Sequence, residues 1–236
     1  MTVTNMQAPV ELRRSAGDRY GILAILALMG LVFAALALLG LAIAAESPGL
    51  AVFLLAMAAF IGAMTALVAN EARVRWGTRI TIDGDSVRLK LPGRRSLVPQ
   101  APLDREVPLA AIQAVDTRLE AFRAAGNTVL QRAYALALDD GSRIVLGGDR
   151  RMVSPFYTQA AEVLAARAGA PVRDLGTVDG TPGLLMFWGQ TVPGWDAEPL
   201  APAQAETRVR QERRAWQLVS IVVFVFLLVR LLVALF

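Results

Sequence analysis

The chain contains no cysteine and no histidine. Thiol nucleophiles, disulfides, zinc–thiolate sites, imidazole bases and haem–histidine ligation are therefore excluded. Without cysteine the redox compartment leaves no mark on the sequence. Lysine is almost missing too: Lys90 is the only one, and every other cationic side chain is arginine. With so much alanine, this is the composition expected of a GC-rich bacterial genome. The formal net charge is +4, but the arginines cluster beside apolar segments, where membrane topology alone would put them. Nucleic acid is therefore not expected as a partner.

What is abundant is apolar surface. Of the 236 residues, 55% are hydrophobic, which is high for one soluble domain. Three runs stand out, at residues 22–45, 50–69 and 216–236. Each is about 20 residues or more, enough to cross a hydrocarbon core of about 30 Å at 1.5 Å per residue. Only ESPG, residues 46–49, links the first two, so they are expected to form an antiparallel hairpin. The arginines before the first run and an Ala-Ile-Ala step at 42–44 resemble a signal peptide, but the run is too long and a second span follows at once. A retained anchor is expected.

Arginine placement orients the spans. Arg13, Arg14 and Arg19 precede the first, Arg73, Arg75 and Arg79 follow the second, and Arg208, Arg210, Arg213 and Arg214 precede the third. The ESPG link has none. The positive-inside rule then makes the N-terminus and residues 71–215 cytoplasmic, with the extreme C-terminus outside. Ala27, Gly30, Ala34 and Ala37 share a face of the first span, and Ala58, Gly62 and Ala66 a face of the second. Such faces allow close helix approach in lipid, either within the hairpin or to a partner. Arg230, near the outer end of the third span, has three expected fates. It extends toward the headgroups, pairs with Glu46 at the same outer level, or meets an acidic group or a lipid phosphate outside the chain.

Between the second and third spans the hydropathy period becomes two. TRITIDGDSVRLKL reads as a hairpin turning at 83–85. After the proline-rich loop PGRRSLVPQAPLD comes a short turn at 108–112 and a strand to Phe122. A turn at 124–127, the strand TVLQRAYALAL, a DDG turn at 139–141 and the strand SRIVLGG follow. SPFYTQAAEVLAARAG reads as a helix with Ser154 as N-cap, Pro155 in the first turn and Gly169 as the stop. The succession ITIDGDSVRL, VPLAAIQAV, YALALDDGSRIVL and a closing helix resembles bacterial integral membrane proteins with a pleckstrin-homology-like (PH-like) domain. The resemblance covers residues 20 to 170. It implies a small, partly open antiparallel β-barrel closed by one C-terminal helix, an α+β domain near lipid or protein recognition. The layout is also similar to membrane proteins that assemble photosynthetic complexes.

The expected organisation is a tail at 1–19, a hairpin at 20–70, a PH-like domain at 71–175, a linker at 176–215 and a third transmembrane helix at 216–236. In the linker, Leu184, Leu185, Met186, Phe187 and Trp188, with Trp195 after them, form an aromatic stretch. It is suited to the membrane interface, to a protein partner, or to packing on the β-domain. A charged juxtamembrane helix is expected to run from residue 202 into the third span.

No catalytic constellation emerges. The Asp139–Asp140 and Asp83–Asp85 pairs read as turns, LGGDRR lacks the spacing of a phosphate-binding loop, and Ser154 has no histidine partner. No metal or cofactor is expected. Arg88, Lys90, Arg94 and Arg95 are candidates for a basic face toward a phosphorylated headgroup. The reading is therefore a non-enzymatic inner-membrane scaffold, accessory or assembly subunit binding another membrane protein complex. Leu184–Trp188, Trp195, Arg230 and Glu46 are its candidate interface, and homo-oligomerisation is compatible with the same faces. The alternative is a membrane-anchored PH-like sensor of anionic lipid headgroups.

Overall fold

Two helices, each longer than its apolar run, start the fold. The computed structural model describes residues 9–124, 127–150, 155–181 and 191–235. The chain divides into two compact units, Met1–Gly93 with Ala101–Glu106, and Arg94–Gln100 with Val107–Phe236. In the first, α1 (Ala16–Ala42) starts at Ser15, whose side chain accepts from the Asp18 N–H at 3.1 Å, satisfying an otherwise orphaned amide. A tight turn leads to α2 (Pro48–Gly77), which has proline in its first turn, where its missing N–H costs nothing. The helices pack antiparallel through small residues: Leu54 and Leu55 crowd Gly40, and the Phe33 ring crowds Gly62.

Both helices are long and apolar enough to cross a membrane, with mean hydropathies of 3.0 and 2.4. Only 6% and 11% of their most apolar stretches are buried, so neither is the core helix of a soluble domain. Leu28, Leu31, Leu38, Leu41, Phe53 and Phe60 point outward. Among the described residues there are two such helices where the sequence led us to expect three. The run at 216–236 continues α4 (Pro202–Leu235), and most of its side chains lie outside the described residues.

The first unit also holds a four-stranded sheet in the order β1-β2-β3-β4. Its strands are β1 (Val10–Arg13), β2 (Arg79–Asp83), β3 (Ser86–Leu91) and β4 (Leu103–Pro108). The β2–β3 hairpin has Asp83 opposite Ser86, and Gly84 takes φ +54° in the two-residue turn, the conformation such turns require. Ile80, Ile82, Val87, Leu89 and Leu91 are buried by alternation. The N-terminal segment read as a tail is in part a strand: β1 pairs antiparallel with β2, Leu12 opposite Ile80.

In the second unit a 3-10 turn, Leu109–Ala111, precedes β5 (Ile112–Ala124), β6 (Asn127–Leu138) and β7 (Arg143–Arg150). Then come α3 (Phe156–Ala168), β8 (Val172–Asp179) and α4. The sheet order is β7-β6-β5-β8. Here the expectation fails twice. The strands form two four-stranded sheets and no closed barrel, and α3 does not end the domain. β8 follows it and lies parallel to β5, Val115 opposite Val172. A strand–helix–strand return of this kind satisfies the β5 edge, which an antiparallel meander leaves open. The exposed, charged start of β8 disguised it as linker.

Phe156, Tyr157, Ala160, Ala161 and Leu164 bury one face of α3. Gly169 closes the helix at φ +63°, as a left-handed cap should. The expected cap Ser154 lies outside the described residues. The Asp149 carboxylate accepts from the amides of Tyr157 and Thr158 at 3.1 and 2.7 Å, the role of a capping acid at a positive helix end. The double glycine of LGGDRR is a packing device: Gly147 has φ +150°, and a Cβ there would lie 2.3 Å from the Tyr157 ring.

The start of α4 docks on β6 and β8. Arg208 binds Asp179 in fork geometry, one bond being 2.8 Å. Thr128 donates to Gln211 at 2.9 Å, and Glu212 accepts from the Leu130 amide at 3.2 Å. The Arg208 hydrogen bonds hold the Asp179 carboxyl below its usual range, against a smaller opposing effect of burial. A lowered carboxylate pKa stabilises the fold above the ordinary range and ceases to do so as pH falls through the folded value.

Gly147→Ala is expected to destabilise the protein by about 2–4 kcal/mol, since backbone strain and overpacking coincide, read as a lower midpoint of thermal unfolding in detergent. The 38% exposure of Asp179 keeps its bond to about 0.2–1 kcal/mol. Hydrogen exchange at 202–212 should accelerate as pH falls below about 4, after correction for intrinsic rates, and Asp179→Asn should remove that step.

Candidate functional site

In the strand VDTRLEAF, Asp116, Arg118 and Glu120 alternate with bulk, and charge in that pattern usually marks a solvated face. The structure buries it. Asp116, Arg118 and Glu120 are 0%, 2% and 2% exposed, on one side of β5. Opposite them on β6 stand Ala135, Ala133 and Gln131, small or polar enough to leave room for the charges.

Every one of these charges is met. Arg118 donates to Glu120 Oε1 from Nε and Nη2 at 3.0 and 2.9 Å. Nη1 donates to the Gly194 carbonyl at 2.8 Å, and Nη2 also donates to the Pro193 carbonyl at 3.0 Å. The Trp195 ring lies 4.3 Å from the guanidinium carbon, within cation–π range. Gln131 donates to Glu120 Oε2 at 3.2 Å and to Ser96 Oγ at 2.7 Å, and accepts from the Leu97 amide at 2.9 Å. A Cβ on Gly148 would strike that Gln131 amide at 2.4 Å, which gives the second glycine its reason. Burial pushes the Glu120 carboxyl above its usual range, while Arg118 and Gln131 pull it back. The same carbonyls and ring hold residues 193–195 across the sheet as a strap.

At the end of the row, Asp116 bridges Arg143 and Arg173, at 3.1 and 2.7 Å. Arg143 also binds Asp196, whose side chain is 83% exposed. Arg143, Arg173, Asp174 and Asp196 line an open cleft of about 590 Å³ together with Leu175, Gly176, Trp195 and Pro199. Its cations and anions cancel, so the cleft is polar without being a charged trap. A second open cleft, of about 540 Å³, lies on the outer face of the first sheet among Arg79, Thr81, Asp83, Ser86, Arg88, Lys90 and Glu106. There Arg88 is held by Asp104 at 3.1 Å and Arg79 by Glu11 at 2.9 Å.

The expected sites fare unevenly. The four expected basic residues divide between the two units. Arg88 and Lys90 are exposed on β3 in one unit, while Arg94 and Arg95 belong to the other. Arg95 is buried, donating to the Val145 carbonyl at 2.8 and 3.2 Å, and burial lowers its pKa. Trp195 is half-buried on Arg118. Leu184, Leu185, Met186, Phe187 and Trp188 lie outside the described residues, although Thr181 and Thr191 on either side of them pair antiparallel. Glu46 is exposed in the turn after α1. The Arg230 side chain lies outside the described residues.

The small-residue faces separate. Ala58 is buried and Gly62 meets Phe33, so those two positions of α2 serve the hairpin, while Ala66 is exposed. Ala27 and Ala34 are exposed, and a Cβ added to Gly30 meets nothing within 4 Å. α2 leaves this face of α1 uncovered. Among the described residues no group of three His, Cys, Asp or Glu side chains is placed to hold a metal. The chain matches no known protein family, no curated protein and no solved structure.

Arg118→Ala is expected to cost about 3–5 kcal/mol, because Glu120 is left buried and unpaired. Thermal unfolding checks the cost, and a shift in tryptophan emission reports release of Trp195. A loss under about 1 kcal/mol would show that the strap does not depend on this cluster.

Proposed function

We propose that the chain is a non-enzymatic subunit of a membrane assembly, a scaffold, accessory or assembly factor that binds another membrane protein. The observation that carries this reading is the Ala27–Gly30–Ala34 face of α1, which lies on an apolar helix and is not covered by its hairpin partner. In lipid, small residues let helix backbones approach closely, so an uncovered face of this kind favours a second helix over lipid chains.

In this proposal α1, α2 and the apolar half of α4 each span the bilayer of a bacterial inner membrane, with the sheets on the arginine-rich, cytoplasmic side. The sequence resemblance to PH-like membrane proteins, and a layout similar to that of proteins that assemble photosynthetic complexes, point to the same role. Residues 184–188, Glu46 and Arg230 remain its further candidate contacts. The headgroup-sensing alternative loses support, because Arg95 is a structural residue and Arg88 already has a carboxylate.

Tagged full-length protein, extracted in a gentle detergent, is expected to retain a stoichiometric membrane protein. Gly30→Leu combined with Ala34→Leu should reduce that retention at least tenfold, about 1.4 kcal/mol or more, while helix content and unfolding temperature hold. Retention unchanged by the double substitution would sink the reading.

A further inference from the structure

At the end of the hairpin where α1 begins and α2 finishes, Tyr20 and Trp76 meet edge to face, with centroids 5.6 Å apart at 87°. The Trp76 indole donates to the Arg19 carbonyl at 3.3 Å, and the Arg19 guanidinium carbon lies 5.2 Å from the ring. Despite these contacts the rings stay open, Tyr20 at 61% and Trp76 at 44% exposure. Arg73 is exposed three residues before Trp76, so the two share a helix face.

The charges at this end are unequal in a specific way. Asp18 and Glu71 both turn to Arg75, which donates to Glu71 at 3.2 Å and lies 3.9 Å from the Asp18 carboxylate. Arg19 and Arg73 have no carboxylate partner among the described residues. Two guanidinium groups, one per helix, therefore lie beside an exposed aromatic pair with no carboxylate paired to either among the described residues.

Depth decides what meets them. If the hydrocarbon core covers residues 50–69, Trp76 lies about 10 Å beyond it along the helix. The headgroup layer is about 5–7.5 Å thick on each side, so the Trp76 backbone lies just past it, and the side chain leans back into it because helix side chains tilt toward the N-terminus. Tyrosine and tryptophan concentrate there, and the only abundant anions at that depth are lipid phosphates. We infer that Arg19, Tyr20, Arg73 and Trp76 form a binding site for anionic phospholipid headgroups. The guanidinium groups bond the phosphate, and the ring pair lies at the glycerol level. This inference rests on the membrane reading above and adds a ligand to it.

The test uses the full chain reconstituted in phosphatidylcholine vesicles with and without phosphatidylglycerol. Subtracting the emission of Trp76→Phe isolates the Trp76 signal, which spin labels at the headgroup should quench more than labels at mid-chain. The relative association of spin-labelled phosphatidylglycerol over phosphatidylcholine should fall by up to about fivefold for each of Arg19→Gln and Arg73→Gln. Stronger mid-chain quenching, or an unchanged lipid preference in the double variant, overturns the site while leaving the membrane reading intact. A chain that does not float with the vesicles overturns both.

Discussion

A guanidinium with almost no access to water organises the second unit. Arg118 has to be neutralised and fully hydrogen-bonded where it lies, because an unpaired buried charge costs several kcal/mol. Glu120 supplies the charge, and the carbonyls of Pro193 and Gly194 accept the remaining bonds. From this requirement follow the position of the strap, the polar Gln131 on β6 and the Ser96 loop that Gln131 holds. Gly148 follows as well, since any side chain there would displace the Gln131 amide. Such a network specifies one arrangement of loops on the sheet more sharply than an apolar contact of the same area.

The hairpin obeys the opposite constraint. Its helices bury mostly small residues and leave most of their large apolar side chains outward, which is stable only in an apolar solvent or under a protein cover. The ion pairs of the hairpin lie at one end, where Arg75 gathers two acids and, among the described residues, Arg19 and Arg73 meet no carboxylate. The functional proposals draw on the same separation: an uncovered small-residue face for a helix within the bilayer, and uncovered guanidinium groups for phosphates at its edge.

Much of the β-structure was legible by alternation. The β2–β3 hairpin, the 3-10 turn, β5, β6, β7 and α3 fall where period two, Asp-Gly turns and the Gly169 stop place them. β1, β4 and β8 were missed for one physical reason. All three are short or charged edge strands, VELR, LDREVP and VRDLGTVD, whose strand state comes from a neighbour's free edge and not from their own pattern. The Arg118 cluster was missed because alternating charge on a strand normally marks the solvated face. Its one local signal was Trp195 following Pro193 and Gly194, a rigid aromatic step in a linker.

By itself the sequence determined the chemistry the protein lacks, the two helices apolar enough to span a bilayer, and the register of its main hairpins. These depend on residue type and short-range periodicity, which are properties of adjacent positions. Tertiary structure decided which charges are buried, which arginines are spent on carboxylates and which are left over, and which small-residue face α2 covers. Those outcomes depend on side chains brought together from distant positions, such as Arg118 with Gly194 and Arg19 with Trp76, and no local pattern encodes such meetings.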